Sequence, residues 1–320
     1  MKPIISISLP VLVILAGVFQ GSASAAKPVQ VFILAGQSNM EGQGVVDLDH
    51  PQHYNGGKGT LLHVMRDPKK AKTFSHVKDD AGNWIVRDDV FVRFKTRHET
   101  KKGGLSIGFA GYPGKHHIGP EFQFGHVAGE AFKEPVLLIK TAWGGKSLFK
   151  DFRPPSAGGE TGPYYNQMIE EVHEALGSVD KDFASLAGRE LNIAGFAWMQ
   201  GWNDMFDEKA RAEYEQNLVH LIHDVRAEFN QPKLPVVIGE LGNGGPKASD
   251  SMLAIRNAQR AAASRAEFKG TVAFAPTADF ARSADQSPNV GHGHHWFGNA
   301  ESYFLIGDAL GKEMLKLLKH

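Results

Sequence analysis

The 320-residue chain contains no cysteine, and that absence removes a disulfide framework, a thiolate nucleophile and a cysteine-ligated metal site together. It has no excess of charge either, with 35 Lys+Arg against 35 Asp+Glu. No long basic run interrupts it, so the electrostatic footprint of a nucleic-acid binder is missing and a neutral or weakly charged ligand fits better. Internal repeats and low-complexity tracts are also lacking. The longest apolar stretch, Ile4 to Val18, falls short of the roughly 20 residues that a membrane span needs.

That stretch follows Met1-Lys2-Pro3 and precedes the small residues Gly21-Ser22-Ala23-Ser24-Ala25, with Ala23 and Ala25 in A-x-A spacing. The pattern is that of a secretory signal peptide over residues 1–25, and it implies a secreted or periplasmic protein with no stable membrane insertion after cleavage. The rest, about 295 residues, is enough for one large domain with a substantial core.

Five apolar runs, at residues 29–35, 135–141, 193–200, 235–241 and 271–275, alternate with helical periodicity near 120–133, 164–177, 208–229, 250–268 and 299–318. Such alternation predicts an α/β fold, with a parallel sheet covered by helices on both faces and ligands gathered at the carboxyl ends of the strands. Residues 45–118 break the pattern. They are rich in Gly, His, Lys and Asp, with a strand-like stretch at Val90–Phe94 and a Gly103-Gly104 turn signal. The segment is too long for an idle loop and reads as an insertion bordering the ligand cleft.

Chemistry collects at the strand ends. The run Ile33-Leu34-Ala35 leads into Gly36-Gln37-Ser38-Asn39-Met40, which sets a serine at a strand-to-helix corner. There the hydroxyl is lifted clear of the sheet, and the helix start offers N–H groups to a developing oxyanion. Three further blocks follow in order: Thr141-Ala142-Trp143-Gly144-Gly145, then Gln200-Gly201-Trp202-Asn203-Asp204, then His294-His295-Trp296-Phe297-Gly298-Asn299-Ala300 before the last helix.

These blocks, from about residue 29 to the end, resemble the SGNH hydrolases, named for Ser, Gly, Asn and His in successive blocks. Gly-Gln-Ser-Asn-Met and Gln-Gly-x-Asn-Asp resemble in particular the carbohydrate esterase branch with sialate O-acetylesterases and acetylxylan esterases. The resemblance implies a flavodoxin-like three-layer α/β/α sandwich with a five-stranded parallel sheet. It implies Ser38 as nucleophile, His295 as base with His294 as its rival, and an oxyanion hole from the Ser38 N–H, a glycine N–H (Gly145 before Gly144) and the Asn203 amide. The implied substrate is an acetylated carbohydrate, with no cofactor. Trp143, Trp202 and Arg153 are candidate sugar contacts. Alternatives are a general esterase of the same superfamily acting on other acyl esters, and a silent sugar-binding protein that keeps the fold.

One position departs from the pattern. Many relatives carry Asp three residues before the histidine, where this chain has His292. Asp279 and Asp285 are the nearest upstream carboxylates, and a backbone carbonyl can also orient an imidazole, giving a Ser–His dyad. Two lookalikes fail. Gly145-Lys146-Ser147 lacks the earlier glycine of a phosphate loop, since Lys140 stands there. The pieces His116-His117 and His292/His294/His295 have no Asp or Glu at helical ligand spacing, so no metal is expected.

Overall fold

The computed structural model describes residues 26–319, and the expected signal peptide lies outside them. In chain order the elements are β1 (Val29–Gly36), α1 (Ser38–Glu41), β2 (Gly44–Val45), α2 (Leu61–Met65), β3 (Val90–Lys95), β4 (Thr100–Gly104), β5 (His117–Ile118), α3 (Glu121–Ala131) and β6 (Val136–Ala142). They continue as α4 (Pro163–Gly177), α5 (Val179–Asp182), β7 (Leu191–Met199), α6 (Glu208–Glu228), β8 (Val236–Gly239), α7 (Asp250–Ala263), β9 (Val272–Ala275) and α8 (Ala300–Leu318).

The main sheet has seven strands in the order β4-β3-β6-β1-β7-β8-β9, parallel except for the antiparallel β3–β4 pair. The five-stranded, all-parallel expectation is therefore corrected. Both extra strands come from the 45–118 segment. There β3 pairs with β6, and β4, which reads Thr-Lys-Lys-Gly-Gly, closes the edge. A polar edge strand carries no apolar signature and is a common way of blunting an exposed edge. The two ends of the segment are zipped together by the short β2–β5 ladder.

Helices cover both faces of the sheet because the strand side chains alternate between them. On β1, Val29, Val31, Ile33 and Ala35 enter one core with Met168 and Val172 of α4, Leu218 and Ile222 of α6, and Ile255 of α7. Phe32 and Leu34 enter the other core with Phe124 of α3 and Ile306 and Leu310 of α8. Helices α3 and α8 cross closely at Gly307, where a Cβ would stand 2.3 Å from the Pro120 carbonyl oxygen. A third, smaller core lies under residues 46–77, around Leu61, Phe74, Phe122 and Phe304.

Strand order reverses around β1. The chain builds β3 and β6 on one side, then crosses to β7, β8 and β9 on the other. The ends of β6, β1 and β7 therefore frame the topological switch point, where open α/β sheets bind ligands. Among the described residues no helix is long and apolar enough to cross a membrane.

Candidate active site

The nucleophile corner is built by one glycine. Gly36 has φ +152°, and a Cβ there would lie 2.1 Å from the Met199 carbonyl oxygen, so only glycine lets β1 end this close to β7. Gln37 is extended, and Ser38 opens α1. A cleft of about 420 Å³ at this point is lined by Ser38 after β1, Gly144 and Gly145 after β6, Trp202 and Asn203 after β7, and His294 and His295 before α8. The Ser38 side chain makes no hydrogen bond among the described residues, so its hydroxyl is free to meet a ligand.

Gln37 sets the orientation of the asparagine. Its Oε1 accepts the N–H groups of Gly201 at 3.1 Å and Trp202 at 3.0 Å, while its Nε2 donates to Asn203 Oδ1 at 3.2 Å. With Oδ1 engaged, the Asn203 NH₂ keeps its donors for the cleft. The turn beyond it is held by Asp204, which is buried and accepts the Leu148 and Phe149 N–H groups and the Gln200 amide. Desolvation raises the Asp204 pKa to about 6, against these donors.

The histidine segment is pinned from below. Asn39 Nδ2 and Asn243 Nδ2 each donate to the His294 carbonyl at 3.1 Å. The Tyr303 hydroxyl donates to Asn39 Oδ1 at 2.6 Å, with the His295 carbonyl 3.3 Å away. These bonds hold a backbone in which Trp296 and Phe297 both have positive φ, 52° and 54°. Side chains rarely adopt this region, at a cost of about 1–3 kcal/mol each.

Burial, followed by the charges of His294 and His292, pushes the His295 imidazole down to about 4. The ring is therefore neutral near pH 7 and able to accept a proton. Among the described residues no carboxylate is hydrogen-bonded or ion-paired to the ring of His292, His294 or His295. Asp285 lines a different groove, beside Lys58 and Arg66. The described residues hold no cluster of three or more His, Asp or Glu side chains suited to a metal ion.

Two candidate sugar contacts lie elsewhere. Arg153 spends its guanidinium on the carbonyls of Gly158 at 2.7 Å, Ala157 at 3.0 Å and Phe149 at 3.3 Å, bracing its own loop. Trp143 turns toward the α4 side, with its ring centroid 5.9 Å from that of Phe152 and 5.4 Å from that of Tyr164. Neither lines the cleft.

Tyr112, whose ring the sequence places beside a turn at the cleft, is in the lining, and sequence reasoning missed Glu41, Gln43, Arg97 and Phe206, which complete it. Glu41 had a signal, since it stands three residues after Ser38 and so on the same face of the helical turn. Burial raises the Glu41 pKa, opposed by the charges of Lys140 and Arg97 and by the Gly144 N–H. Arg97 and Tyr112 come from the 45–118 segment, the insertion read from the sequence as bordering the cleft.

Beneath the cleft lies an ion pair with both side chains fully buried, Lys140 Nζ to Glu121 Oε2 at 2.6 Å. The same ammonium donates to the carbonyls of Phe109 at 2.6 Å and Glu41 at 2.9 Å, and Glu121 Oε1 accepts the Gly119 N–H. All three ammonium hydrogens have acceptors, as a buried charge requires. One side chain of β6 thus ties α1 to the segment carrying Gly111 and Tyr112.

The sequence model of the family described as "Carbohydrate esterase, sialic acid-specific acetylesterase" matches residues 28–316. An Arabidopsis thaliana protein described as a "probable carbohydrate esterase" is 27% identical over 226 residues, 69% of this chain and 72% of that protein. The X-ray structure of the Arabidopsis protein with the same locus designation superposes with a TM-score of 0.56 at 16% identity, covering 90% of this chain and 98% of that one, a likeness of fold. A carbohydrate acetylesterase from Xanthomonas citri superposes at a TM-score of 0.48 and 16% identity, covering 88% of this chain and 56% of that one.

Proposed function

The chain belongs to the carbohydrate esterase family described as sialic acid-specific acetylesterase, and from that premise we propose that it removes O-acetyl groups from carbohydrates through a Ser38 acyl-enzyme. The observation that carries the reading is the meeting of Ser38, Gly145, Asn203 and His295 in one cleft at the switch point. In this mechanism His295 takes the Ser38 proton as the hydroxyl oxygen attacks the acetyl carbonyl. The tetrahedral oxyanion is received by the N–H groups of Ser38 and Gly145 and by the Asn203 amide. Collapse expels the sugar oxygen, which leaves with the proton from His295. Water then attacks the acetyl-serine with His295 again as base, releasing acetate and restoring the enzyme.

The order Ser, Gly, Asn, His around the sheet supports an SGNH architecture, with residues 26–320 as one domain and 45–118 as its insertion. The segment 1–25 supports export by its composition alone. Arg97 makes no ion pair or side-chain hydrogen bond among the described residues, and a guanidinium at the cleft suits the carboxylate of an acidic sugar.

The test is rapid quenching on an acetylated sugar followed by peptide mass mapping. An acetyl group on the peptide containing Ser38, absent in Ser38→Ala, is the expected result. A folded Ser38→Ala protein retaining more than a few per cent of turnover would remove Ser38 from the mechanism.

A further inference from the structure

Phe206 is the most exposed large hydrophobic side chain among the described residues, at 69%. It is also firmly placed. It ends the turn Asp204–Phe206, whose first residue is buried and anchored by three hydrogen bonds, so exposure here is not slackness of the chain. Its ring meets Trp202 edge-on, with centroids 6.0 Å apart and planes at 71°, and both rings line the cleft that holds Ser38. Burying a phenylalanine is worth about 1.5–3 kcal/mol, a gain that the fold leaves largely unrealised at this position.

The rest of the lining narrows the occupant. Gln43, Arg97 and Tyr112 contribute an amide, a guanidinium and a phenol to the same cleft, which at about 420 Å³ suits a small ligand. A long acyl chain calls for apolar lining throughout. A pyranose offers a C–H face and a rim of hydroxyls, and so matches aromatic and polar lining together.

We propose that Phe206, edge-packed on Trp202, is the stacking platform for the sugar ring that bears the scissile ester, and so a specificity-determining residue. The inference rests on Ser38 as the reacting centre. Phe206 acts on the sugar and not on the acetyl group, so its effect falls on KM for sugar esters and spares an ester that has no ring.

The test measures kcat and KM for Phe206→Ala and Phe206→Trp on O-acetyl sialic acid, acetylated xylobiose and ethyl acetate. Calorimetric titration of the better sugar ester onto Ser38→Ala, with and without Phe206→Ala, reads binding without turnover. The expected result is a sugar KM raised about tenfold or more by alanine and held within about threefold by tryptophan. Ethyl acetate is unchanged in both, and binding weakens in parallel. An unchanged sugar KM, or an equal loss on ethyl acetate, overturns the platform. A wild-type protein that cleaves ethyl acetate but neither sugar ester overturns it too, while leaving Ser38 as nucleophile. Turnover by Ser38→Ala would instead strike the mechanism, and the KM shift would still report on Phe206.

Discussion

Replacing Gln37 by Glu exchanges one NH₂ for an oxygen, which inverts a single hydrogen bond and adds a negative charge at a buried position. One carboxylate oxygen still accepts the Gly201 and Trp202 N–H groups, which Gln37 Oε1 accepts at 3.1 and 3.0 Å, so the turn after β7 has what it needs to fold. The other oxygen now faces Asn203 Oδ1, where Gln37 Nε2 donates at 3.2 Å. Two acceptors at that distance repel, and the relief is a half-turn of the Asn203 amide that sends its NH₂ to Glu and its oxygen into the cleft. The oxyanion then loses a donor and faces a lone pair. Loss of one such donor costs about 10²–10³ in kcat, or roughly 2.7–4 kcal/mol, and the misplaced oxygen sets this as a minimum. The assay is kcat and KM on an acetylated substrate, with thermal melting to confirm the fold and Asn203→Ala as reference. Expected are a kcat at least about 100-fold down, a KM changed by less than about threefold, and a double variant no worse than Asn203→Ala alone, because both changes remove one donor. A Gln37→Glu enzyme within about threefold of wild type, or a double variant whose losses multiply, would refute the reasoning.

Two more outcomes follow from the histidine segment. The acid limb of kcat/KM should have its midpoint near pH 4, since burial and the neighbouring histidines push the His295 imidazole down to about 4 and the base works only when neutral. Removing a like charge with His292→Ala should raise that midpoint, and a wild-type midpoint above about 6 would exclude His295 as the titrating base. Asp279→Ala and Asp285→Ala should each cost less than about tenfold in turnover, against near-total loss for His295→Ala, because no carboxylate is bonded to the His295 ring among the described residues. A thousandfold loss from either aspartate in a folded protein would restore a triad acid.

Much of the parallel sheet is written in continuous apolar runs, because strands buried on both faces admit little else. All five runs became strands with ends shifted by a few residues, as with 235–241 against Val236–Gly239. β3 showed itself only as the strand-like stretch at Val90–Phe94, and Gly103-Gly104, read as a turn signal, lie inside β4, because its lysines and glycines gain strand conformation from pairing with β3. The same division holds in the cleft. Ser38, Gly145 and Asn203 follow strands with clear apolar runs and His295 precedes the periodic last helix, so order along the chain translated into proximity. Arg97 and Phe206 sit in turns whose direction only the folded chain sets. Trp143 and Arg153 show the converse, since a residue beside a site block in sequence points where its own neighbours take it, here toward α4 and into loop bracing.

The Lys140–Glu121 pair also constrains how this sequence can change. Its two residues lie on different elements, β6 and α3, yet each is acceptable only in the other's presence, because a single replacement strands a fully buried charge, at about 3–5 kcal/mol. A joint replacement by apolar residues would remove that penalty, but it would also free the Phe109 and Glu41 carbonyls that the ammonium holds. Positions 121 and 140 therefore form one unit of variation, reachable by mutation only through a poorly folded intermediate, and a lineage that has acquired the pair has little route to lose it.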